Sequence, residues 1–447
     1  MTHVRANAQH TQLISDSNEA PIAGIVISFS EVFWNNLLKG LIPQIFKKLK
    51  ETVFEGGSTE IKIKDMLVIY FTVEGFNIDQ LAYDLTNTRV DLFEDNNTIG
   101  VHIARSNFSA HVEYLFDLDP SFITDNGTLD FSWSDLGIDF VFGIGDDQDS
   151  TNIDINVTTS SFNLNPEKVN LTLVNENDFN QLVSFLMTTV QAPVINVISK
   201  AFTEYLGSGI NAGIHLVPNP ITIGNMTFNN TLIEAANITA MYTSNKIVGS
   251  FTPIDRQIPI VNNVTLPTWD EKGQSLQIYL SEFVFQSLLY SLFDLGQISL
   301  MLEESPLESL LKFDTDSFAY FLPTITKVFG KGKPTRISIA AVEAAPSLNI
   351  DSKGLNVDGK FDLGVDVFSD GSWKNAMVSR VQAKFIAKVE IFGNLRLSVS
   401  ISSIEFELTE IIQSNIGEIN IRMIDNLLGT IETIIKYAVN AVFTGKS

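Results

Sequence analysis

Of the side chains that do chemistry near neutral pH, this sequence offers five histidines and no cysteine. Without a thiol there is no disulfide, no thiolate nucleophile and no thiolate metal site. The histidines are His3, His10, His102, His111 and His215. No two are four apart on a helical pattern, which is the spacing a helical zinc pair needs. His102 and His111 fall in alternating, strand-like sequence and read as ordinary sheet residues. Gly207-Ser208-Gly209 has no nucleophile-elbow pattern around it and reads as a helix stop. Gly330-Lys331-Gly332-Lys333 lacks the spacing of a phosphate-binding loop and reads as a surface turn. Asp146-Asp147-Gln148-Asp149 is acidic enough for calcium, but the glycine and the closing glutamate of a calcium loop are missing. The residues thus predict no enzyme, no cofactor and no metal.

The bulk of the chain is unusual in a different way. Of 447 residues, 45% are hydrophobic and only 18% charged, against roughly 25% charged in ordinary soluble domains. Net charge is −23. Within 91–180, only Arg105 and Lys168 oppose 17 carboxylates. A field of that sign repels nucleic acid and anionic surfaces, and it also suits a merely solvated face. Nine Asn-x-Ser/Thr acceptors, Asn96, Asn107, Asn126, Asn156, Asn170, Asn225, Asn229, Asn237 and Asn263, all precede residue 264. Eight further asparagines follow without one. This favours glycosylation and an extracellular location. Met1 to Ala20 has no apolar core of a signal peptide, which points the other way.

The elements follow from periodicity. Ile27–Ile42 and Ile278–Phe293 are two copies of one strand-into-helix segment, 251 residues apart and identical at six of sixteen positions. That interval is far too long for a solenoid and means a duplicated domain. Ser30 is placed to cap a helix over 30–50, with Glu31 in its first turn and Pro43 expected to kink it. From Thr59 to Thr172 the period is two, the mark of antiparallel strands with one wet face. Helical patterns return over 178–206, 281–295 and 418–442. Pro218, Pro220, Pro253, Pro259 and Pro267 punctuate the segment between the copies.

The organisation predicted is a disordered tail over 1–20, an N-terminal unit over 21–250, a Pro-containing linker over 251–272 and a C-terminal unit over 273–447. Each unit reads as helix, long antiparallel sheet, helix, an α+β design with a curled sheet around an elongated core. The helices carry apolar faces broader than contact with a sheet requires. Such faces fill a large core or line a slot for acyl chains, where each buried methylene contributes about 0.8 kcal/mol.

Four stretches carry a family resemblance. They are Pro21-Ile22-Ala23-Gly24-Ile25-Val26, Ile61-Lys62-Ile63-Lys64, the run Leu276 to Leu300, and Ser414-Asn415-Ile416-Gly417. In this order the chain resembles the two-barrel lipid-binding family of bactericidal/permeability-increasing protein, lipopolysaccharide-binding protein and the plasma lipid transfer proteins. The resemblance implies two tandem barrels, each a strongly curled antiparallel sheet wrapped on long helices, joined by a central sheet into an elongated boomerang. It also implies an apolar pocket for one phospholipid in each barrel. The matching helix faces would be Phe33, Leu37, Leu41 and Ile45 with Phe185, Leu186 and Val190 in the first. In the second they would be Val284, Leu288 and Leu292 with Ile424, Leu428, Ile431 and Ile435.

Three features depart from the family. Its usual disulfide cannot form here, and the closing strand or tail after the last helix is lacking. Where endotoxin-binding members carry a basic turn, this chain has Glu113-Tyr114-Leu115-Phe116-Asp117-Leu118-Asp119-Pro120 and then Asp125. The expectation is non-enzymatic binding, with possible transfer, of a phospholipid or related amphiphile. A membrane or lipid-particle surface is a further candidate partner, and nucleic acid is not. Endotoxin binding and an intracellular lipid shuttle are the alternatives.

Overall fold

The computed structural model describes residues 22–63, 67–119, 123–146, 153–163, 168–174, 192, 195–197, 199–201, 203–205, 220–272, 274–304, 307, 310–392 and 396–444. The predicted tail and most of the predicted helix 178–206 lie outside them, as do Gly207-Ser208-Gly209, His215 and Asp147 to Asp149. The chain opens with β1 (Ile25–Ser30), which runs into α1 (Glu31–Lys50). Ser30 Oγ accepts from Phe33 N at 3.3 Å, and Glu31 begins and Lys47, Lys48 and Lys50 end the helix, matching its dipole. Pro43 stands inside α1 without ending it.

The strands that follow are β2 (Val53–Ile63), β3 (Leu67–Ala82), β4 (Arg89–Phe93), β5 (Thr98–Asp119), β6 (Ile123–Asp146), β7 (Ile153–Asn163) and β8 (Val169–Leu173). They form one seven-stranded antiparallel sheet, ordered β2-β3-β5-β6-β7, with β4 on β5 and β8 on β6. On β5, residues from Phe108 to Leu118 alternate between buried apolar and wetter positions, as the period of two predicts, and an irregularity between Ile103 and Phe108 shifts the phase. The buried side includes Val112, Phe116, Phe131 and Ile138, and it meets Leu38, Ile42, Phe46 and Leu49 of α1 in one core.

Short strands lead to the second unit: β9 (Ile221–Ile223), β10 (Met226–Asn229), β11 (Asn237–Ile238), β12 (Tyr242–Ile247), β13 (Ser250–Pro253) and β14 (Leu276–Leu280). Next come α2 (Glu282–Asp294), β15 (Ser299–Leu302), α3 (Thr315–Phe318), α4 (Ile325–Phe329), β16 (Thr335–Ala341), β17 (Ser347–Asp351), β18 (Gly354–Ser369), β19 (Ser372–Phe392), β20 (Arg396–Ser414) and α5 (Ile421–Thr444). The second large sheet is ordered β15-β16-β18-β19-β20, with β17 on β18. Its own core joins Ile337, Leu363, Val365 and Met377 to Ile424, Leu428 and Ile431 of α5.

The two units meet in a sheet ordered β11-β12-β1-β14. β1 and β14 are the duplicated strands, and they pair antiparallel with Ile27 opposite Ile278, which are also equivalent positions of the repeat. A local twofold axis therefore passes between these residues, and each copy leads into its own helix. Gly24 fits this crossing because a Cβ there would stand 2.5 Å from Val248 O and 3.1 Å from Phe283 Cδ1. A mixed, sheet-dominated α and β architecture is what the sequence predicts. Neither large sheet closes on itself through a pairing of described strands, so closure into two barrels goes beyond these pairings.

Candidate functional site

Of the histidines, His102 and His111 are described, both on β5. His102 Nδ1 lies 2.6 Å from Asp139 Oδ1, and its Nε2 lies 3.0 Å from Asp91 Oδ2. His111, nine residues further along β5, stands between Asp130 and Asp79 in the same manner. Each imidazole thus has a carboxylate within 4 Å of both ring nitrogens. These are cross-strand His–Asp contacts on the wet face of the sheet. Gly330-Lys331-Gly332-Lys333 is the turn after α4, with Gly330 at φ +92°. Among the described residues, no three His, Asp or Glu side chains are grouped to hold a metal ion.

The apolar candidates divide by helix. On α1 the core takes Trp34, Leu38, Ile42, Phe46 and Leu49, and Trp34 Nε1 donates to Thr243 Oγ1 at 2.9 Å. The predicted stripe Phe33, Leu37, Leu41, Ile45 lies one residue back, turned by about 100° on the helix. Phe33 is half-buried against Phe29, with ring centroids 4.8 Å apart, while Leu37 and Leu41 are 37% and 38% exposed. The Ile45 side chain and all of Phe185, Leu186 and Val190 lie outside the described residues. α1 thus has two apolar stripes, one packed into the sheet and one on its flank.

On α2 the repeat-equivalent stripe is Val284, Leu288, Leu292. Val284 is buried, and Leu288 and Leu292 are half-buried. The buried face of α2 is Val284, Ser287 and Ser291, which corresponds to Phe33, Asn36 and Gly40 of α1. The two copies of one helix therefore bury different sides. The serines explain the rotation: Ser287 Oγ accepts from Phe251 N at 3.0 Å, and Ser291 Oγ donates to Phe251 O at 3.0 Å, tying β13 to α2. Sequence reasoning passed over these hydroxyls, whose only signal was two serines one turn apart within an apolar helix.

On α5, Ile424, Leu428, Ile431 and Ile435 all share the second core. Ile424 and Ile431 have no exposed area at all, so no water-sized space adjoins them. They are held with the sheet rather than with Leu288 and Leu292, which lie outside that cluster. Surface clefts among the described residues lie elsewhere. One of about 140 Å³ lies across Asp358, Lys384 and Glu405, and one of about 290 Å³ lies along β14 beside Asp270 and Lys272. Both have mixed polar walls.

Of the nine glycosylation acceptors, Asn96, Asn107, Asn126, Asn170, Asn225, Asn237 and Asn263 are exposed, and Asn229 is half-buried. The side chain of Asn156 lies outside the described residues.

Comparison with known proteins bears on this arrangement. Residues 240–444 match the LBP / BPI / CETP family, C-terminal domain. That stretch belongs to the LBP / BPI / CETP family. The family domain starts at β12 and runs through α2, the second large sheet and α5. Two of the stretches that carried the sequence resemblance, Leu276–Leu300 and Ser414–Gly417, fall inside it.

Among solved structures, the crystal structure of lipopolysaccharide binding protein is similar over 94% of this chain and 92% of that one, at 14% identity and a TM-score of 0.48. Takeout 1 of Epiphyas postvittana matches 42% of this chain and 93% of its own, at 13% identity and a TM-score of 0.31. P47 of Clostridium botulinum E1 matches 95% and 90%, at 12% identity and a TM-score of 0.23. No curated protein matches the sequence. Among the described residues, no helix is long and apolar enough to cross a membrane.

Proposed function

We propose that the protein binds a phospholipid-like amphiphile without catalysis, with one acyl site along α1 and a second along α2. One observation carries the reading: Phe33, Leu37 and Leu41 form an apolar stripe that the core does not use, on a helix whose neighbouring stripe already satisfies the sheet. A hydrocarbon tail needs only such a surface, since it brings no polar group to satisfy. Removing one long chain from water contributes on the order of 10 kcal/mol, enough for retention after the costs of association. Leu288 and Leu292 are the half-buried counterparts on α2. The α5 residues act as core, and a tail reaching them has to part Ile424 from Ile431.

The match of residues 240–444 to the LBP / BPI / CETP family, C-terminal domain, supports a lipid-handling role. The acidic face of the first unit favours a zwitterionic or neutral headgroup over a phosphorylated glycolipid. Exposed glycosylation acceptors support an extracellular setting.

Native mass spectrometry of the purified chain, followed by lipid extraction, tests the proposal. Co-purifying phospholipid at up to two per chain is expected, and Leu37→Asp with Leu41→Asp should remove one equivalent while the circular dichroism spectrum is unchanged. A lipid-free chain that also refuses added fluorescent phospholipid would sink the reading.

A further inference from the structure

One end of the second large sheet is basic in an otherwise acidic molecule. From Ser317 to Val342 there are four cations, Lys327, Lys331, Lys333 and Arg336, and no carboxylate, in a chain of net charge −23. The stretch runs from the end of α3 through α4 into β16. Its place in the fold is fixed by its partners. Thr335 pairs with Val367 just before the β18–β19 hairpin, Phe368 N donates to Pro334 O at 2.9 Å, and Thr324 Oγ1 donates to Ile416 O at 2.6 Å.

Phe318, Leu322 and Ile325 turn into the second core and are buried. Tyr320 and Val328, from the same short helical turns, are 71% and 51% exposed, and Phe368 at the neighbouring strand end is 39% exposed. Gly330 and Gly332 hold φ of +92° and +64°, a backbone that glycine takes freely, and the turn they make displays Lys331 and Lys333 to solvent. Arg336 is engaged, 3.0 Å from Asp366 and 4.4 Å over the Trp373 ring. The ammonium groups of Lys327, Lys331 and Lys333 have no partner among the described residues. Of the nearby carboxylates, Asp314 caps α3 by accepting from Ser317 N at 2.7 Å, Asp370 pairs with Lys374, and Asp316 stands exposed in the first turn of α3.

Exposed apolar side chains elsewhere keep acidic company: Val53 lies between Glu51 and Glu55, Met301 precedes Glu303 and Glu304, and Ile412 follows Glu410. An exposed tyrosine, valine and phenylalanine beside unpaired lysines form a set that suits a lipid–water interface. There the rings sit at headgroup level, apolar stems reach below it, and ammonium groups stay with phosphate. We propose that this end of the second unit seats on a phospholipid surface of zwitterionic headgroups. Tyr320, Val328 and Phe368 enter the interface, and Lys327, Lys331 and Lys333 meet lipid phosphates. Charge selects this occupant. A lysine reaches a phosphate at contact, whereas the field of the whole chain acts over a Debye length of about 8 Å and repels a net-anionic surface. A zwitterionic surface offers the phosphate without the net charge. Docking at this end needs neither acyl site along α1 or α2 to be filled, so the two readings fail separately.

The chain has no cysteine, so Val328→Cys takes a single environment-sensitive fluorophore on the full-length protein. Phosphatidylcholine vesicles are expected to shift its emission to the blue. The same label on Val261→Cys, 83% exposed in the segment between the units, is expected to stay unmoved. Tyr320→Asp with Val328→Asp should weaken partition into these vesicles on the order of tenfold or more. Lys331→Glu with Lys333→Glu should weaken it severalfold. Both double variants should keep the circular dichroism spectrum, and native mass spectrometry should find the same co-purifying lipid as in the unsubstituted chain. A Val328 label that shifts no more than the Val261 label overturns the proposal. So does a Tyr320→Asp, Val328→Asp chain that partitions like the unsubstituted one. A Val328 label that responds to polyglutamate and not to vesicles also overturns it, in favour of an acidic protein partner. If the aspartate variant fails to fold, the labels and the lysine variant still decide.

Discussion

Glu343 stands in a cross-strand network on the second large sheet, 2.6 Å from Lys360 Nζ and 2.7 Å from Arg380 Nη1, while Arg380 also binds Asp362. The hydrogen bond from Lys360, more than any other contact, holds the Glu343 carboxyl below its ordinary value, and the charges of Lys360 and Arg380 act the same way. A carboxylate lowered in the folded state stabilises above its unfolded pKa, and that contribution is lost as pH falls through the lowered value. Glu343→Gln should therefore lower the thermal midpoint slightly at neutral pH. The gap should close as pH drops below about 4 and shrink with added salt. Thermal melts of both proteins across that range check it, and a gap that widened in acid would contradict the assignment. His102 and His111 teach the complementary lesson: a histidine in alternating sequence reads correctly as a sheet residue, but the aspartates that flank it come from other strands.

At the scale of the element, α1 separates stability from ligand binding. Ile42 is buried in the first core, so Ile42→Ala should destabilise by about 2–5 kcal/mol. Leu37→Ala, on the exposed stripe, should change stability by no more than about 0.5 kcal/mol yet weaken binding of a fluorescent phospholipid. Urea unfolding beside a lipid-binding titration on the same two variants is the measurement. Equal losses of stability would mean the second stripe is core after all. The helix limits themselves were legible, because Ser30, Glu31 and the terminal lysines mark the ends of α1 chemically. Which of two adjacent apolar stripes meets the sheet was not, since both satisfy the same period. For α2 the choice was made by Ser287 and Ser291 gripping the backbone of Phe251, a contact between residues about forty apart.

For the whole molecule, charge sets the encounter with lipid. A chain of −23 is repelled by anionic vesicles, and screening relieves that repulsion. Raising the ionic strength should therefore increase association with anionic vesicles and leave exchange with neutral phosphatidylcholine vesicles nearly unchanged. Vesicle co-sedimentation across a salt series tests this, and binding to anionic vesicles that collapses with salt would instead indicate basic capture of the endotoxin-binding kind. The sequence by itself determined the duplication, the helix termini, the strand zones and the sign of the field, because caps, periods and charges are written locally. Tertiary structure alone decided that the duplicated strands pair with each other about Ile27 and Ile278. It alone decided, too, that Ile424 and Ile431 are packed core while Leu37 and Leu41 are not. Those outcomes depend on which distant surface reaches each apolar face first, and a period along the chain carries no record of that.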